Sequence, residues 1–171
     1  MLNLNFKKQP ISYANVWVAE NVLDLSQARD HEKSFNRCTA NSFKPYDNLL
    51  EKKLLLDDWS KFDNQIYSLM QKFCSFEFTK AVEKTCGMSD LMPDVGLHGA
   101  GLFLQKNGWH LNPHIDYKVH PKLGFERKVS LLFYLSENWK NDNDGNLVFF
   151  GTKMGDLITM KHTPSHLSST L

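Results

Sequence analysis

The sequence predicts an α+β fold, with helices in its first half packed on a sheet or a partly closed β-barrel formed by its second. Three observations carry this reading. Apolar residues recur at helical spacing up to Gly87. After Pro93 they fall instead in short runs bounded by Gly, Asn and Asp. A chain of 171 residues is enough for one sizeable core and too short for two ordinary ones. It therefore reads as a single domain over 1–171, mainly helical over 1–90, β over 91–160, and ending in a polar tail over 161–171.

Val16-Trp17-Val18 is a short strand candidate, and the polar stretch Asp30–Tyr46 reads as loop. Leu49-Leu50 and Leu54-Leu55-Leu56, around Glu51-Lys52-Lys53, look like a helix face. Phe62, Ile66, Leu69, Met70 and Phe73 make one apolar stripe on a helix, with Ser60 as its N-cap and Asp63 in its first turn. Phe78, Ala81, Val82 and Thr85 continue the helical period as far as Gly87, placed where a glycine ends a helix.

The strands follow. His98–Leu104 and Trp109–Tyr117 flank Asn107-Gly108, a strong hairpin signal. Gly99 and Gly101 either admit a neighbouring backbone or mark a bulge. Val129–Leu135 is nearly all apolar, as in a strand buried on both faces. Asn146–Phe150 is entered through the turn Asn141–Gly145, and Asp156–Met160 is a fifth strand.

Composition removes several function classes. Lys and Arg number 20 and Asp and Glu 19, so the net charge of +1 gives no electrostatic reason to expect nucleic acid or an acidic membrane. Cys38, Cys74 and Cys86 are odd in number and lack C-x-x-C spacing, which predicts free thiols in a reducing compartment. The longest apolar run, Leu131–Leu135, is far short of the roughly 20 residues a spanning helix needs. No apolar stretch backs the charges of Met1–Lys8, so the expectation is a cytoplasmic protein. A phosphate-binding P-loop, G-x-G-x-x-G and a G-x-S-x-G nucleophile elbow are all missing.

The triplet His114-Ile115-Asp116 is the chemical focus. On a strand, residues two apart point to one face, so the imidazole and the carboxylate can converge on one metal ion. With a distant second histidine they would make the facial triad of non-haem Fe(II) oxygenases. Such a triplet arises often by chance, and its weight comes from its surroundings.

Those surroundings run in order. Pro93-Asp94-Val95-Gly96-Leu97-His98-Gly99-Ala100-Gly101 precedes Gly108-Trp109-His110-Leu111-Asn112-Pro113-His114-Ile115-Asp116. Then come His120-Pro121-Lys122-Leu123, and Arg127, Ser130, Leu131, Tyr134, Leu135 and Trp139. Asp144-Gly145-Asn146-Leu147 closes the set, with Asn146 where a second glycine is usual. Over Leu91–Gly145 the chain thereby resembles the 2-oxoglutarate- and Fe(II)-dependent oxygenases, and among them a prolyl-4-hydroxylase-like group of bacteria and marine phages.

The resemblance implies a double-stranded β-helix, incomplete here, of jelly-roll type. It implies His114 and Asp116 as Fe(II) ligands, 2-oxoglutarate as co-substrate, and admits ascorbate. The third ligand would be His162 or His166, if Asp156–Met160 returns to the metal; otherwise both belong to the polar tail. No Lys or Arg follows either histidine, so Arg127, Lys128 or Lys161 is left to anchor 2-oxoglutarate. His110 and His120 stand four residues from His114 and Asp116, ~13 Å along a straight strand, and read as rim or turn residues. His98 reads as a hydrogen-bonded core histidine. The expected activity is hydroxylation of an unidentified small-molecule or peptide substrate. The alternative is a truncated, catalytically incompetent relative serving as a metal-binding, ligand-binding or interaction module. A truncated barrel would expose strand edges and self-associate through them.

Overall fold

The computed structural model describes residues 2–39, 42–136, 139, 143, 145–151, 157–160 and 169–170. In chain order the elements are β1 (Lys7–Lys8), β2 (Trp17–Ala19), α1 (Leu25–Thr39), β3 (Lys44–Asp47), β4 (Lys52–Leu56), a 3-10 turn (Trp59–Lys61), α2 (Asn64–Phe73), α3 (Phe76–Cys86), β5 (Leu102–Leu104), β6 (Leu132–Phe133), β7 (Leu147–Phe150), β8 (Leu157–Met160) and β9 (Ser169–Thr170). The protein is thus mixed α+β, with its helices in the first half of the chain and strands both before and after them, not the order of helices then strands expected. Two compact units divide it, residues 1–32 with 129–171 and residues 33–128.

The first unit holds an antiparallel sheet in the order β1-β2-β9-β6 and a separate β7-β8 pair, in register from Leu147 opposite Met160 to Phe150 opposite Leu157. Among its described residues, Ile11, Val16, Ala19, Val22 and Leu23 are the buried apolar ones. The expected strand at 146–150 is present as β7. The expected strand over 129–135 shrinks to Leu132–Phe133.

The second unit packs α2 and α3 with the sheet β3-β4-β5. Its core is Leu56, Phe62, Ile66, Leu69, Phe78, Val82, Leu97 and Leu102. The apolar stripe read from the sequence is the buried face of α2, but the helix starts later than expected. Asp63 is the N-cap, accepting from the Gln65 N–H, while Ser60 lies in the preceding 3-10 turn. Ser75 caps a new helix by accepting from the Phe78 N–H at 3.2 Å, which splits the expected continuous period into α2 and α3. Gly87 ends α3 in the left-handed conformation, φ +66°, as anticipated.

Two expectations are corrected. Asp30–Tyr46 is not loop; it carries most of α1 and all but the last residue of β3. The end of α1 is tied down by polar groups, which leave no apolar period to read. Ser34 Oγ bonds Asp63, Arg37 forks onto Asp63 at 2.7 and 2.8 Å, and Asp63 N donates to Cys38 Sγ at 3.1 Å. Leu54–Leu56 is not a helix face but the end of β4, a short apolar run whose periodicity cannot separate the two states.

The expected hairpin between 98–104 and 109–117 is also corrected. The Asn107-Gly108 turn forms, closed by Trp109 N donating to Lys106 O at 3.0 Å, but its flanks do not pair with each other. Both run antiparallel to one partner. Leu102–Leu104 pairs with Leu54–Leu56, and further along Glu51 bridges Leu111. Asn107-Gly108 is therefore an excursion from a single ladder. Among the described residues the strands form three short sheets, and they do not trace a double-stranded β-helix. The three cysteines are free. No helix of the described residues is long and apolar enough to cross a membrane.

Candidate metal centre

The site grows out of that ladder. Lys52 N donates to His110 O and Asn112 N to Leu50 O, both at 2.8 Å. The Asn112 side chain donates to Leu49 O at 2.7 Å, so the residue is fixed at two points. Pro113 then forces extended backbone at Asn112. The Asn112 carbonyl meets His114 Nδ1 at 2.8 Å. A carbonyl only accepts, so Nδ1 carries a hydrogen, and Nε2 is the ring nitrogen left to face a metal.

The segment 112–117 forms no strand and bends at Pro113. The alternation expected of a strand survives nonetheless. Ile115 points away, 91% exposed, while His114 Nε2 and Asp116 Oδ1 face each other at 3.6 Å. Both side chains are only partly covered, at 33% and 45% exposure.

A small hairpin follows, and it brings Arg127 back to Asp116. Arg127 N donates to Lys118 O at 2.7 Å, Val119 bridges Glu126, and His120 N donates to Phe125 O at 2.8 Å. Gly124, at φ +70°, turns the chain. Arg127 Nη2 then lies 3.0 Å from Asp116 Oδ2, and its guanidinium carbon sits 4.9 Å from the centre of the Tyr117 ring.

Behind this layer stand His98, His120 and Asp94. Tyr117 donates its hydroxyl to His98 O at 2.7 Å, and the His98 ring packs against Tyr117 and His120 at 5.3 and 5.0 Å between centres. His120 is buried. Its Nδ1 accepts from the N–H groups of Lys122 and Leu123 at 3.2 and 3.1 Å, and its Nε2 faces Asp94 Oδ2 at 3.6 Å. His120 is thus a turn residue, as expected. Asp94 in turn accepts from the N–H groups of Gly96 and His98 at 3.0 and 2.8 Å. Sequence reasoning gave no role to Tyr117, and named Asp94 only within the Pro93–Gly101 stretch. The only available signal for Tyr117 was an aromatic directly after the triplet.

His114 and Asp116 fit as two donors to one divalent first-row ion. Bonds of ~2.0–2.2 Å allow donors up to ~4.4 Å apart, and these stand at 3.6 Å. Among the described residues no group of three or more His, Cys, Asp or Glu side chains could hold a metal. His162, His166 and Lys161 lie outside the described residues. His110 is exposed and enters the ladder through its carbonyl. Lys128 pairs with Glu126 at 2.5 Å.

Residues 101–168 match the family model of the 2OG-Fe(II) oxygenase superfamily, a span that includes His114, Asp116 and Arg127. No curated protein and no solved structure matches the chain.

Proposed function

We propose that this chain, which carries a 2OG-Fe(II) oxygenase superfamily domain over residues 101–168, is a dioxygenase that hydroxylates a small-molecule or peptide substrate, in the manner of the prolyl-4-hydroxylase-like group. The observation supporting this most directly is His114 Nε2 facing Asp116 Oδ1 at 3.6 Å. The family implies Fe(II) and 2-oxoglutarate. Together they couple O₂ reduction to decarboxylation, giving succinate, CO₂ and one oxygen atom for the substrate.

The chain's own contribution is placement. Asn112 fixes the His114 tautomer and ring through its carbonyl. Asp116 supplies one oxygen on the same side. His162 or His166 is proposed as the third donor, and Lys161 as a partner for the far carboxylate of 2-oxoglutarate. The part-exposed His114 and Asp116 leave the metal side open to a substrate.

Anaerobic Fe(II) titration with and without 2-oxoglutarate tests the reading. A complete centre gives a visible absorption band that needs both components, releases succinate in air, and loses both in His114→Ala and Asp116→Ala. Single alanine variants of His162 and His166 identify the third donor as the one whose loss removes the band. The alternative outcome is a two-donor module. It would hold Fe(II) weakly, show no such band and release no succinate.

A further inference from the structure

We infer that Arg127 is the positioning residue of the Asp116 carboxylate, holding it to one-oxygen metal binding, and does not anchor the co-substrate. The inference rests on the metal-site reading above. Arg127 is held from three sides. Its backbone N–H is bound to Lys118 O at 2.7 Å, its guanidinium lies 4.9 Å from the centre of the Tyr117 ring, and Nη2 meets Asp116 Oδ2 at 3.0 Å. The side chain is only 25% exposed.

The shelf beneath it is itself fixed. The Tyr117 hydroxyl is bound to His98 O at 2.7 Å. The ring occupies the space over Gly99, where a Cβ would come within 3.1 Å of Tyr117 Cε1. The chain of contacts from Gly99 through Tyr117 and Arg127 to Asp116 therefore sets the carboxylate plane. Oδ2 is taken by the guanidinium and Oδ1 is turned toward His114 Nε2. A planar cation locked against a carboxylate and an aromatic ring would have to leave both to grip the end of a dicarboxylate.

The test is Co(II) binding without 2-oxoglutarate, by calorimetry and visible absorption, on the wild type, Arg127→Ala and Arg127→Lys. Thermal melts serve as the folding control, and 2-oxoglutarate affinity is then measured on metal-saturated protein. Positioning predicts that Arg127→Ala loses about 10- to 100-fold in Co(II) affinity with an altered absorption spectrum. Arg127→Lys should fall in between, since it keeps the charge but not the planar guanidinium that meets Asp116 and lies over Tyr117. Unchanged Co(II) affinity and spectrum in Arg127→Ala overturn the inference, whether or not 2-oxoglutarate affinity falls. If Arg127→Ala does not fold, wild-type Co(II) binding by Arg127→Lys overturns it equally. A wild type that binds Co(II) no better than His114→Ala and Asp116→Ala overturns the metal site itself, a result distinct from the other two.

Discussion

A Cβ at Gly101 would lie 2.5 Å from the carbonyl oxygen of Leu56, so glycine is what allows β5 to enter the sheet beside β4. The backbone there also has φ +133°, a conformation L side chains rarely adopt. Gly101→Ala should cost on the order of 2 kcal/mol or more, through backbone strain and loss of the ladder start. Urea denaturation followed by circular dichroism reads this as a lowered midpoint. A wild-type midpoint would show that β5 does not press on Leu56.

His120 closes its turn by accepting two backbone N–H groups on Nδ1. His120→Ala removes the acceptor of both turn N–H groups, at a cost of about 1 kcal/mol. The same denaturation series measures it, and an unchanged midpoint would remove His120 from the support of the 118–127 hairpin.

Asp63 ties α1 to the start of α2. The Arg37 fork, then the Ser34 hydroxyl, hold its carboxyl well below the usual carboxylate range. Its folded-state value is depressed, so its contribution is full above the unfolded value of ~3.9 and is lost as pH falls toward the folded value. Glu83 acts in the same direction, lowered by the bond from Lys80 and then by the Leu91 N–H. Stability should therefore decline below about pH 5. Asp63→Asn, which can still cap the helix, should flatten that decline. Denaturation midpoints between pH 7 and pH 3 decide it, and parallel curves for variant and wild type would remove Asp63 from the acid response.

β3 is exposed along its length and forms the outer strand of the β3-β4-β5 sheet. Lys44, Pro45 and Asp47 guard that edge with charge and a missing N–H, as solvent-facing strands commonly do. Replacing both Lys44 and Asp47 with Val should raise self-association at a given concentration. Light scattering coupled to size exclusion checks it; equal masses for variant and wild type would argue that the charges do not protect this edge.

Local sequence carried much of the second unit. Ile66 and Leu69 of the stripe marked the buried face of α2, Gly87 marked the end of α3, and the alternation at 114–116 put an imidazole and a carboxylate on one side. What it could not carry was any element stabilised by distant polar partners. The end of α1 depends on Ser34, Arg37 and Cys38 meeting Asp63, and those contacts leave no hydrophobic period. In the sequence Arg127 was one of three cations, with Lys128 and Lys161, left to anchor 2-oxoglutarate, and only the return of the 118–127 hairpin brings it to Asp116.

The sequence alone determined the residue types and spacings whose effects act within a few positions: the helix stripe, the glycine that ends α3, the Asn107-Gly108 turn, and a His and an Asp on one side of a short segment. The tertiary structure decided which segments meet. It sent both flanks of that turn to β4, and it laid Arg127 on Tyr117 beside Asp116. The reason is physical. Turn and helix preferences are set by local backbone energetics, whereas strand partners and ion pairs are chosen by the whole fold from many competing segments of similar affinity.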